Sequence, residues 1–415
     1  MRVECRKKLL CSFIKLNDIR RFLFCASLAL SIIWTGCAGP DPVEAPPCTA
    51  TPAVTARPTA APADSPVPDP LAAYIRGMST EEKIGQLVMF GTTGNRSVSD
   101  VFAAFMQEYH IGNIFLCTAN ISKKSPEGGF PLCAGLTASL NAANGSEIPL
   151  LISIDEEGGS VSRLKWPQKV VSAADLGRAD DAEAARAQFV RVGEGLRSVG
   201  ISVNLAPCLD VTKNPRASWL RYRVISSDAG VATRIGVACI AGLQSVNCLA
   251  VAKHFPGHGA TSVDSHQRTP TVSKTLEELR EYELLPFAAA VDAGVDGIMM
   301  ANIFYPNIDS ADIAPMSEKI IGQLLRGEMG FEGIVMSDDF RMPGLLSKYS
   351  ADQAAVRFIL AGGDMILCGA RMQLQRQIME ALHEAVAEGT ITQERLDESV
   401  ARILRAKMKY LGFEP

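Results

Sequence analysis

CLAVAKHFPGHGATSVDSHQRTP, residues 248–270, joins two kinds of sequence in one stretch. Cys248 to Phe255 is apolar until it meets Lys253 and His254. That pattern belongs to a strand of a parallel sheet covered on both faces, where neither side of the pleat meets water. Pro256, Gly257 and Gly259 then forbid a regular helix and make the continuation a loop. Polar groups therefore gather just beyond the C-terminal end of a buried strand.

Seven further segments follow the same rule: IGQLVMFG (84–91), IGNIFLC (111–117), PLLISID (149–155), ISVNLAPCLD (201–210), GIMMANIF (297–304), GIVMSDD (333–339) and GDMILCG (363–369). Amphipathic stretches such as DAEAARAQFVRVGEGLRSVG and LEELREYELLPFAAAVDAG lie between them, many ending at Gly. ITQERLDESVARILRAKMKYLG closes the chain as a final helix. Eight strand–helix units predict an α/β fold, a (β/α)8 TIM-like barrel forming a single domain over 71–415. A doubly wound open sheet is the competing architecture. In a barrel, Asp155, Asp210, Lys253, His254, Asn302, Asp338 and Asp339 would converge on one face.

The first 70 residues carry no fold signal. Positive charge in RKKLL and DIRRF precedes a twelve-residue apolar run, Phe22 to Ile33, too short to span a bilayer as a stable helix. Residues 1–37 are expected to be a signal peptide, with Trp-Thr-Gly-Cys at 34–37 similar to a bacterial lipobox and Cys37 the lipidation site. Residues 38–70, rich in Pro, Ala and Thr, form a tether. The expected location is extracytoplasmic, lipid-anchored to the bacterial cell membrane. A net charge of −4 over 415 residues argues against nucleic acid as a partner. Seven of the eleven cysteines follow Cys37, with no CxxC pair. Cys117 and Cys133 would close a short loop as a disulfide; those inside apolar runs are expected as buried thiols.

Three of the five histidines fall within the thirteen residues 254–266. His254 and His258 have a helical zinc spacing, but Pro256 and Gly257 lie between them and no HExxH occurs. Asp264 and His266 form the sharper pair: a carboxylate two residues from an imidazole on one loop orients the ring for proton transfer. Asp338 and Asp339 end the seventh strand, where a carboxylate can serve as a nucleophile. Adjacent residues of an extended chain point to opposite sides, so one faces the cavity, and Asp339 is equally suited to cap a helix. Asp155 ends the third strand before Glu156, Glu157 and a Gly158-Gly159 turn.

IDEEGGSVSR (154–163), KHFPGHG, DSH and SDD, in that order, resemble glycoside hydrolase family 3, and more narrowly its bacterial β-N-acetylglucosaminidase branch. The resemblance covers about 71–415. It implies a retaining double displacement on β-linked N-acetylglucosamine, with peptidoglycan or a related glycan as substrate and no cofactor or metal. Asp338 would be the nucleophile and His266, paired with Asp264, the acid/base. Asp155, Arg223, Lys253 and His254 would hold the sugar, with Glu156 to Gly159 shaping the turn and Arg163 matching the motif. One segment departs from the family pattern I-G-x-R-S-F: Arg221, Val224 and Ile225 replace its Gly, Ser and Phe, while Arg223 is kept. A phosphorylase using the same dyad, and a non-catalytic wall-binding lipoprotein, are the alternative readings.

Overall fold

The computed structural model describes residues 69–415 except 95, 122–128 and 215–218. The signal segment with Cys37 and nearly all of the tether lie outside the described residues. Asp69 accepts a hydrogen bond from Leu71 N and caps a helix, Pro70–Gly77, so helical structure starts one residue inside the segment assigned to the tether. Proline suits that first position because its missing N–H has no intrahelical partner to lose.

Eight strands follow: β1 (Val88–Gly91), β2 (Asn113–Leu116), β3 (Leu151–Ile154), β4 (Val203–Asn204), β5 (Leu249–Phe255), β6 (Gly297–Met300), β7 (Ile334–Met336) and β8 (Ile366–Cys368). Each falls inside one of the apolar runs, and every residue in them is buried. Each neighbouring pair is parallel, in the order β7-β6-β5-β4-β3-β2-β1-β8. The two ends of that order meet through the parallel bridge Met336–Met365 and the bond Ser337 N to Met365 O, 2.9 Å. This closure rules out the open doubly wound sheet: the barrel is a nearly closed (β/α)8 cylinder.

Helices pack around it as the periodicity requires. Ala182–Ser198 is capped by Asp181 and buries Ala185, Phe189, Val192 and Leu196. The stretch after residue 275 is two helices, Leu276–Arg280 and Leu285–Asp292, because Pro286 can only enter a helix in its first turn. Gln393–Leu411 is capped by Thr392 and ends at Gly412 in the left-handed region.

Cys117 and Cys133 are free thiols, so the short-loop disulfide is not formed. Cys133, Cys208, Cys239, Cys248 and Cys368 are buried, as their apolar surroundings foretold.

Candidate active site

A cavity of about 310 Å³ opens at the C-terminal ends of the strands. Asp155, Arg223, Lys253, His254, His266 and Asp338 all line it. A depression of about 350 Å³ at the opposite end, between Val295, Asp296, Phe331, Glu332 and Arg405, gathers none of them.

One wall is an ion lattice. Asp155 follows β3, and a strand's period of two places Glu157, not Glu156, on the same side. Lys253 Nζ lies 2.7 Å from Asp155 Oδ1 and 2.7 Å from Glu157 Oε1. Arg223 grips Glu157 with both arms, Nε and a terminal nitrogen each donating at 2.9 Å. Burial alone would raise the Glu157 carboxyl, but Arg223 and Lys253 outweigh it and hold it well below the usual range. Burial is likewise outweighed at Asp155, lowered by Lys253 and Arg163, and at Lys253, raised by its two carboxylates. Glu156 points away, where its Oε2 accepts the backbone N–H groups of Arg163 and Leu164 and so shapes the turn.

Lys253 and His254 both reach the cavity although they are consecutive. The pairing of β5 with β6 runs Lys253–Met299 and then Phe255–Met300, so His254 is the extra residue of a bulge. His254 Nδ1 donates to Asp210 Oδ2 at 2.6 Å, which leaves Nε2 to accept from Arg223 at 3.4 Å. Asp210, fully buried at the end of the β4 segment, also accepts the backbone N–H of His258 at 2.5 Å.

His266 sits above this wall. Its Nδ1 lies 2.9 Å from Asp264 Oδ1, which also accepts the His266 backbone N–H. Nδ1 therefore carries the donated proton and Nε2 is left for other chemistry. Asp338 follows β7 and lines the cavity with one oxygen held by Asp339 N at 2.8 Å; it has no ion pair among the described residues. Asp339 does not cap a helix. The next helix, Pro343–Leu346, starts after Met342, and Asp339 instead binds the Arg341 guanidinium and Gly369 N.

Arg221 takes φ +42°, a left-handed value that glycine adopts freely. Val224 and Ile225 are buried, so the departing segment packs inward while Arg223 still reaches Glu157. Asn302 is buried against Met342 and does not line the cavity. Glu157, Arg341, Cys117, Trp219 and His258 belong to the site or its supports without having been singled out as site residues in the sequence. The shared parity with Asp155 could have marked Glu157.

Cys208, Asp210 and His254 bring three potential metal donors within 4.8 Å of one another. They do not suit a resident ion. Asp210 Oδ2 already accepts from both the thiol, at 3.2 Å, and the imidazole N–H, and both protons would have to leave. Burial and Asp210 push the thiol well up, against that loss.

Residues 79–406 match the family described as glycosyl hydrolase family 3 N terminal domain. Beta-hexosaminidase A of Pseudoalteromonas piscicida is 32% identical over 331 residues, 73% of this chain and 54% of that protein. The beta-hexosaminidase of Nitrosospira multiformis is 31% identical over 280 residues, 66% of this chain and 77% of that one. A solved structure, the glycoside hydrolase family 3 beta-N-acetylglucosaminidase from Paenibacillus sp. str. FPU-7, superposes with a TM-score of 0.76 at 36% identity, over 80% of this chain and 63% of that one. The chain thus spans about half the length of the first of these relatives.

Proposed function

The chain belongs to glycosyl hydrolase family 3, and from that premise we propose that it is a retaining exo-β-N-acetylglucosaminidase. The observation that carries the reading is the shared cavity: Asp338, the His266–Asp264 dyad and the lattice of Asp155, Glu157, Lys253 and Arg223 face one space. Four cations (Arg163, Arg223, Lys253, Arg341) and four carboxylates (Asp155, Glu157, Asp338, Asp339) line it. Their charges balance, which favours a neutral polyhydroxylated ligand over phosphate.

The chemistry follows from the free atoms. The Asp338 carboxylate attacks the anomeric carbon while the bond to the leaving oxygen breaks. His266 Nε2 gives its proton to that oxygen, forming the free alcohol and a glycosyl ester of Asp338. The neutral Nε2 then takes a proton from water, and the oxygen attacks the anomeric carbon from the other side. Asp338 leaves as a carboxylate and the sugar keeps its β configuration. Asp264 holds Nδ1–H throughout and stabilises the imidazolium in each half of the cycle. Lys253, Arg223, His254 and Asp155 bind the sugar hydroxyls, and the lattice fixes them before the substrate arrives.

We further propose that Cys37 is lipidated and that the enzyme acts outside the cytoplasm on peptidoglycan-derived chains. Loss of membrane association in Cys37→Ala would support that placing, and unchanged fractionation would remove it.

The deciding assay follows release from a chromogenic β-N-acetylglucosaminide, with and without phosphate. Turnover that ignores phosphate supports hydrolysis. A phosphate requirement with sugar 1-phosphate as product would make the protein a phosphorylase, and binding without turnover a wall-binding protein.

A further inference from the structure

His266 is the least secured member of the proposed machinery. Its side chain is 59% exposed, and among the described residues its ring hydrogen-bonds only Asp264, two residues away on the same loop. Where Nε2 lies therefore depends on what holds the loop. The residue between the two, Ser265, is fully buried and is held from two sides. Its carbonyl accepts Gly344 N at 3.1 Å, from the segment that follows Asp338. Its hydroxyl lies 2.9 Å from His258 Nε2.

His258 is fully buried, and its other ring nitrogen, Nδ1, lies 3.3 Å from Trp219 Nε1. An indole nitrogen can only donate, so Nδ1 must accept, and a neutral ring then carries its proton on Nε2. That proton points at Ser265 Oγ. We propose that Trp219 and His258 are positioning residues for the acid/base step: the relay Trp219 Nε1–H to His258 Nδ1, and His258 Nε2–H to Ser265 Oγ, latches the dyad loop over the cavity.

The indole also does this through its faces and edges. Its ring centre lies 4.7 Å from that of His258 and 5.6 Å from that of His266, both edge-on, and Arg223 lies 5.2 Å above it. One side chain thus touches the loop's anchor, the proton-transfer ring and the arginine that grips Glu157. Burial, followed by the nearby His254, pushes the His258 ring down to about 4, so the neutral form persists at ordinary pH.

The inference rests on the glycosidase reading, and its test separates the two. In the full chain, nitrogen-15 spectra of the histidines need no substrate. His258 is expected as the Nε2–H tautomer from about pH 5.5 to 8, and an Nδ1–H tautomer would overturn the relay. Kinetics then compare a nitrophenyl glycoside, which needs little protonation to depart, with an alkyl glycoside, which needs much. Trp219→Phe keeps a ring but loses the donor; Ser265→Ala loses the acceptor. Both are expected to lower kcat/KM, which reads the first displacement alone, by about 10-fold or more on the alkyl glycoside while changing it far less on the nitrophenyl glycoside. Ser265→Thr, which restores the hydroxyl, should recover most of the loss. Equal losses on both substrates, or none, would mean that the relay does not position the proton donor. If the wild type turns over neither substrate, the glycosidase reading fails and the spectra alone decide the relay.

Discussion

Two buried lysines, one at each end of the barrel, meet opposite surroundings. At the mouth, Lys253 lies between Asp155 and Glu157, and Arg223 grips Glu157 from the other side. At the base, Lys407 is equally buried, yet among the described residues its Nζ meets only neutral oxygens, Gln86 Oε1 at 2.6 Å and Gly112 O at 2.9 Å. The outcome is opposite. Lys253 is raised, because its carboxylates outweigh burial, whereas burial brings Lys407 down to about 7. The mouth keeps its charges ionised and open to a cavity, which suits a polar ligand. The base uses a lysine stem and amine to tie the last helix to the segments that enter β1 and β2. Asp364 also ties segments together at that end, but through ion pairs: Arg326, Arg395 and Arg402 converge on it.

If that contrast is right, changes at the mouth should reach sugar binding and turnover, and changes at the base should leave both alone. The largest effect belongs to Asp338→Asn, expected to cut kcat by roughly 10^4-fold with the melting temperature nearly unchanged; single-turnover kinetics beside a thermal melt checks both. Lys253→Met should strip Asp155 and Glu157 of their shared cation. It is expected to cost about 3–5 kcal/mol of stability, read by denaturant unfolding, and to weaken sugar binding as well. Comparable losses from Lys407→Met at neutral pH, with sugar affinity also reduced, would erase the distinction between the ends.

Lys407 makes its own pH prediction. Its folded pKa lies below the unfolded value, so above pH 7 the unfolded chain binds the extra proton and stability should rise with pH. The slope is at most about 1.4 kcal/mol per pH unit. Between about pH 7 and 8, below the range where buried thiols begin to oppose it, Lys407→Met should flatten the curve. An unchanged slope in chemical denaturation would show that the amine is not desolvated. The smallest effect is expected at Arg221, whose left-handed backbone sits beside the mouth. Arg221→Gly should relieve about 1 kcal/mol of strain and leave turnover alone; a lower melting temperature would count against strain there.

The fold was legible because burial on both faces writes each strand as an apolar run, and all eight strands lie within the runs read from sequence. Six of the seven proposed site residues are legible for a related reason. Asp155, Lys253, His254 and Asp338 sit where apolar runs end, and Asp264 and His266 are close enough along the chain to bond each other. Arg223 was found only through the family motif, since nothing in its own neighbourhood marks it. Trp219 shows the limit from the other side. It is 39 residues from His258 and 47 from His266 along the chain, yet the barrel brings all three rings together.

The amino-acid sequence by itself thus determined the strand count, the parallel α/β class, the loop that carries the Asp264–His266 pair and the charges gathered at strand ends. These are local properties, written in periodicity, turn residues and short spacings. Only the tertiary structure decided that β7 meets β8, that Trp219 stands against both His258 and His266, and that Cys117 and Cys133 stay apart. Each of those depends on which distant segments the closed barrel makes neighbours, and parallel pairing across long crossovers leaves no mark on either segment alone.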